Sequence, residues 1–182
     1  MMTRIWFKHS GMLAVGFGLA GLAVYLIMIT VTLAHIQAIT GQAPFDMRPL
    51  GYNTLEAAAL LDGLGNYGRW YYLSRQIPLD TLYPALLALT LTNAILWFGR
   101  HLTDRKPVRI GIVLSVCAAL LDYGENLGIA AMVLSWPTVP DPLVHLTSTA
   151  SIAKSILTTL AVLLLVALAV NCARHRIADL QH

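Results

Sequence analysis

Apolar residues along this chain gather into four long runs, each interrupted by few charges or none. Gly11 to Leu33 holds no charged residue, Ile77 to Phe98 only Asp80, Ile110 to Trp136 only Asp122 and Glu125, and Leu143 to Val170 only Lys154. Crossing roughly 30 Å of hydrocarbon takes about 20 helical residues. Each run therefore predicts a membrane-spanning helix, over residues 11–36, 77–99, 109–136 and 143–172. The first run follows Arg4 and Lys8 as a secretory signal would, but the apolar region of a signal covers only about 7–15 residues. This one is longer and has no small-x-small cleavage site after it, so it reads as a retained helix. The expected fold class is an all-α membrane protein: a single membrane domain, built as a four-helix transmembrane bundle.

The segment between the first two runs, residues 37–76, predicts a long, partly helical outer loop. Asn53-Thr54-Leu55-Glu56 has the form of a capping box, with Asn53 as N-cap and Glu56 three residues on, and Gly63 or Gly65 would end that short helix. Tyr67, Trp70, Tyr71 and Tyr72, interleaved with Arg69 and Arg75, have the character of chain lying at headgroup level. The loop is expected to cap the outer mouth of the bundle.

Composition supports lipid as the solvent. Apolar residues make up 57% of the 182 positions and charged residues 12%, against about 45–50% and about 25% in soluble domains. Basic residues are unevenly distributed, with Arg4 and Lys8 at one end, Arg100, Arg105, Lys106 and Arg109 between the second and third runs, and Arg174 and Arg176 in the tail. By the bias that keeps basic flanks on the cytoplasmic side, both termini are expected in the cytoplasm of a multi-pass protein of the cell (inner) membrane. The net charge of +3 follows from this asymmetry and does not point to nucleic acid.

Several motif matches dissolve in context. Gly16-Phe17-Gly18-Leu19-Ala20-Gly21 fits a dinucleotide fingerprint, which needs a strand before it and a helix after it. Here it is embedded in a membrane run, where Ala14, Gly18 and Gly21 are expected to let a neighbouring helix approach closely. Cys117 and Cys172 lack C-x-x-C spacing, so neither a redox pair nor a disulfide framework is implied. His35 and His145 have no second histidine pair for haem, and no cofactor or metal is expected. Ser148, Ser151 and Ser155 read as helix-packing hydroxyls.

The charges inside the runs remain. At about 100° per residue, Asp122, Glu125 and Asn126 share one face of the third helix, with Gly124 and Gly128 expected on the other as a small-x-x-x-small packing pair. An acid at the bilayer centre costs about 2.5–3.5 kcal/mol on insertion scales, so these two are expected to look into the bundle. Lys154 lies at nearly the same depth on the fourth helix, on a stripe with Thr147, Ser151 and Thr158. Asp80 and Tyr83 on the second helix face the same way, and Pro84 frees the carbonyl of Asp80 by lacking an N–H. Asp80, Asp122 and Glu125 outnumber Lys154. Three things would offset that excess: a carboxyl held protonated, Arg69 or Arg75 folding in from the loop, or a bound cation.

At these residues the sequence resembles a family of uncharacterised small bacterial four-helix integral membrane proteins. The resemblance rests on Phe45-Asp46-x-Arg48-Pro49-x-Gly51-Tyr52, Leu64-Gly65-x-x-Gly68-Arg69-x-x-Tyr72, Asp80-x-x-x-Pro84 and Asp122-x-x-Glu125-Asn126. It implies that Arg69, Tyr72, Asp80, Asp122, Glu125 and Asn126 belong together.

The expected function is binding of a lipid-like or cationic small molecule in an acidic pocket in the outer half of the bundle, formed by Asp80, Tyr83, Asp122, Glu125, Asn126, Lys154, Arg69 and Tyr72. One alternative is a membrane-embedded enzyme acting on a lipid, with Asp122 or Glu125 as general acid or base. Another is an accessory subunit whose polar face meets a partner membrane protein. The orientation is testable directly: reporters fused at His182 and within the Arg100 to Arg109 loop should report cytoplasm, and reporters near Gly41 or Pro140 the opposite side. A periplasmic C-terminus would contradict the four-span reading.

Overall fold

In a computed structural model, which describes the backbone of residues 2–179 and the side chains of residues 9–174, the chain is helical throughout apart from short links. Helix α1 (Met2–Ile27) passes through a π-helical turn (Met28–Thr32) into α2 (Leu33–Thr40). Helix α3 (Thr54–Tyr71) passes through a second π-helical turn (Tyr72–Gln76) into α4 (Ile77–Phe98). Helices α5 (Lys106–Ser135) and α6 (Asp141–Asp179) complete the bundle, and no strand occurs among the described residues. Four spans, His9–Thr40, Thr54–His101, Lys106–Ser135 and Asp141–Arg174, are long and apolar enough to cross a membrane. The protein is thus a multi-pass four-helix membrane protein. Arg4, Lys8 and Arg176, which entered the orientation argument, lie outside the described side chains.

The link between the first two spans is shorter than hydropathy alone suggests, because polar and aromatic residues on either side of it are helical. Gly41 ends α2 in the left-handed conformation at φ 68°, with its N–H on the Gln37 carbonyl at 2.8 Å. The capping box opens α3 as expected: Asn53 accepts from the Glu56 N–H at 2.9 Å, and Glu56 accepts from the Asn53 N–H at 2.8 Å. Gly65, at φ 55° and ψ −172°, breaks the helical path inside α3. That backbone region is essentially restricted to glycine. Arg69 closes the break by donating to the Leu61 carbonyl at 2.9 Å and to Asn66 at 2.6 Å.

Residues 41–53 fold down over one end of the bundle. Phe45 is fully buried between Tyr52 and Tyr72, and the Tyr52 N–H donates to the Ser148 hydroxyl at 2.8 Å. Gly51 is needed there twice over, since its φ is 82° and a Cβ would run into Ser148 and Ile152 of α6. Beneath this cap is an apolar cluster that includes Ile36, Leu60, Leu61, Leu64, Ile129 and Met132. A second cluster, built on Leu91, Ile95, Val108, Ala161 and Leu168, occupies the opposite half of the bundle. The polar residues of α4, α5 and α6 lie between the two.

Packing is closest between α5 and α6, next between α1 and α4, and then between α4 and α5, while α1 packs extensively only on α4 among the long helices. Gly18 and Gly21 face Thr90 and Leu86 of α4, as a small-residue contact requires. The glycines of α5 divide differently from the expectation. Gly128 follows Glu125 by three residues and so shares its face, where a Cβ would overlap Thr147 of α6. Gly124 has open space around it and no close-packing duty. Gly128→Ala should therefore destabilise the protein by about 1–3 kcal/mol, the usual cost of overpacking. Gly124→Ala should be neutral or slightly stabilising, with thermal unfolding in mild detergent as the measurement.

A candidate site built on a buried ion cluster

Helix geometry brings the charges together. Asp122 and Glu125 are one turn apart on α5, and Lys154 of α6 lies between them. Its Nζ is 2.8 Å from Asp122 Oδ1 and forms a second ion pair with Glu125 Oε2. Ser151, one turn before Lys154, donates to Glu125 Oε1 at 2.6 Å. Glu125 is 1% exposed and thus held from two positions on α6, while Asp122 is 8% exposed. Lys154 therefore clamps both acids, and neither is left free as pairing with a single acid would leave one.

Asp80, in the first turn of α4, is placed by a backbone defect. Pro84 has no N–H to give the Asp80 carbonyl, and Asn126 Nδ2 of α5 supplies the missing donor at 2.9 Å. An unsatisfied buried carbonyl costs about 1–3 kcal/mol, so this bond ties α4 to α5 at the level of the cluster. The Asp80 side chain is 3% exposed, and its Oδ2 has no hydrogen-bond partner. Its neighbour across the cavity is the carboxyl of Asp46.

Asp46 is the charged site residue that reasoning from the sequence missed, and Tyr25 of α1 was missed with it. Asp46 reaches down from the 41–53 link, where Tyr72 donates its hydroxyl to Asp46 Oδ2 and Gln76 Nε2 approaches Oδ1 at 3.3 Å. Thr32 in turn donates to Gln76 Oε1 at 2.5 Å. The two π-helical turns are thereby joined to each other and to the cap. The available signal was the Phe45-Asp46-x-Arg48 motif, which marked Asp46 but gave it no partner. Tyr52, also in the link, is buried, and burial pushes its phenol above its ordinary value, with the Glu125 and Asp46 carboxylates adding to the effect. It stays a neutral hydroxyl.

These groups line a cavity of about 220 Å³, whose walls are Tyr25, Met28, Ile29 and Leu33 of the first span, Asp46 and Met47 of the cap, Asp80 and Tyr83 of α4, Asp122 and Lys154. Of the residues expected in the site, Asp80, Tyr83, Asp122 and Lys154 reach the cavity. Glu125 and Asn126 stand behind it, Tyr72 acts through Asp46, and Arg69 is spent on the α3 break. Arg75 is exposed, so neither loop arginine offsets the acids. His35 packs against Tyr67 and Tyr71, with a ring-centre distance of 4.4 Å to the latter, and His145 is exposed on α6. A larger hollow of about 720 Å³ at the other end has apolar walls, His9 and Thr90 aside, and contains no part of the cluster.

Fold and site together define a multi-pass integral membrane protein with an ion cluster in its interior. No protein-family model matches the chain, and no curated protein or solved structure is significantly similar to it.

Lys154 is the keystone of the cluster. Lys154→Met should destabilise by about 3–5 kcal/mol, because removing one partner of a buried ion pair leaves the other uncompensated. Adding Asp122→Asn or Glu125→Gln alone should recover part of the loss, and adding both should recover most of it. Double-mutant cycles on the detergent-purified protein measure the coupling; additive effects would mean that the three side chains do not share one network.

Proposed function

We propose that the protein binds a lipid-like or cationic small molecule in the acidic cavity, in the outer half of a cell-membrane bundle whose termini are cytoplasmic. Support comes first from charge. Lys154 pairs with Asp122 and Glu125, while Asp46 and Asp80 share the cavity wall with no ammonium of their own, and carboxylates left in low dielectric favour either protons or a further cation. The single observation that carries the reading is Asp80 Oδ2, an acceptor in the cavity wall that is buried and without a donor. A bound cation with an N–H would satisfy it. The cavity suits a headgroup rather than a whole drug-sized ligand, for which pockets run to about 300–1,000 Å³.

Catalysis by Asp122 or Glu125 is the weaker reading, because Lys154 and Ser151 engage both oxygens of Glu125 and Lys154 also holds one of Asp122. Native mass spectrometry of gently extracted protein should show a monomer carrying a retained small molecule. Asp80→Asn, which keeps size and shape, should lose it while melting within a few degrees of the wild type. A stable wild-type monomer with nothing bound would remove the binding role, and a protein recovered only within a larger complex would favour the accessory-subunit alternative.

A further inference from the structure

The acidic cavity does not end at its charged groups. Tyr25 and Tyr83, whose ring centres are 5.6 Å apart, belong also to a second hollow of about 200 Å³ in the seam between α1 and α4. Its other walls are Gly18, Gly21, Leu22, Leu87 and Thr90. One tyrosine pair thus lines both a polar chamber and a mostly apolar trough. From Tyr83 to Thr90 the trough runs about 10 Å along the helix axis at about 1.5 Å per residue. The cap borders the chamber with Asp46 and Met47. At its side α1 packs extensively only on α4, so the chamber fills the cleft between α1 and the helices that carry Asp122 and Lys154.

We propose that the ligand is a primary amine with one unbranched hydrocarbon tail, its ammonium among Asp46, Asp80 and Asp122 and its tail in the α1–α4 seam. This rests on the acidic-cavity reading and extends it to the whole ligand. The amine follows from hydrogen bonding. Asp80 is 3% exposed and its buried Oδ2 lacks a donor; an alkylammonium has N–H groups to give, as lysine's does, whereas a quaternary ammonium has none. The tail follows from the trough, which is mostly apolar and shares Tyr25 and Tyr83 with the chamber. Such a molecule partitions into the bilayer and reaches the chamber sideways, without crossing the cap.

The experiment uses the full chain in nanodiscs of neutral lipid, with methylamine, decylamine and decyltrimethylammonium as probes and saturable binding measured by calorimetry. Decylamine should bind at least about tenfold more tightly than methylamine, since each buried methylene contributes about 0.8 kcal/mol. Gly18→Leu fills the trough, and its first side-chain carbon would meet only Thr90, at 3.4 Å. It should bring decylamine to the affinity of methylamine and leave methylamine unchanged; Gly21→Leu serves as a second variant, and melting of each without ligand checks folding. Asp80→Asn should weaken both amines. Equal affinities for methylamine and decylamine would overturn the tail and leave the acidic cavity standing. Decyltrimethylammonium binding as tightly as decylamine would overturn the amine. Saturable binding of none of the three would overturn this proposal and the cavity reading together.

Discussion

In hydrocarbon a charge is tolerated only with company, and Lys154 supplies it for two acids at once. Its ammonium lies between carboxylates one turn apart on α5, so α6 can neither slide nor rotate against α5 without stranding at least one of them. Ser151 holds Glu125 from the next turn of the same helix and makes the register tighter still. Dispersion between apolar faces does not by itself specify such a register, because lipid tails compete on nearly equal terms with helix side chains. The close approach of Gly128 to Thr147 and the two apolar clusters above and below therefore depend on a polar contact that fixes which faces meet.

Around that contact, the irregular backbone is where polar groups are made available. Pro84 frees the Asp80 carbonyl, Asn126 answers it, and the carboxyl of the same residue is left facing the cavity. The two π-helical turns lie on adjoining spans and are joined through Thr32 and Gln76. Turns of this kind widen a helix by one residue and recur at functional sites. Here Met28 and Ile29 of the first turn line the chamber, while Tyr72 and Gln76 of the second hold Asp46 in its wall. Non-helical backbone at membrane depth is viable only where protein or a cavity receives it, and this arrangement meets that condition.

Much of this was legible in the sequence, and the limits have physical causes. The spans followed from run length, and the meeting of Lys154 with Asp122 and Glu125 followed from depth, because rise per residue is constant along a straight helix. The Asn53 cap and the Pro84 defect are local rules that depend on a few neighbouring residues. Asp46 escaped because its position depends on how a non-periodic link folds over distant side chains, and no spacing encodes that. Arg69 misled for a related reason: its partners are the carbonyl and side chain exposed by the Gly65 break, visible only once the break is known. The face of Gly128 was assigned against the three-residue rule that places it beside Glu125.

The connection between α5 and α6, residues 136–140, bears on how such a chain enters a membrane at all. Helix α5 emerges from the ribosome with Asp122 and Glu125 unaccompanied, each expensive in lipid, while their counter-charge is still untranslated on α6. A link this short keeps the two helices together as they leave the insertion channel. Partitioning as one hairpin would let Lys154 neutralise its neighbours before either acid meets hydrocarbon alone. Lengthening that link would separate the arrivals in time, and the chain would then face during synthesis a penalty that the finished bundle never experiences.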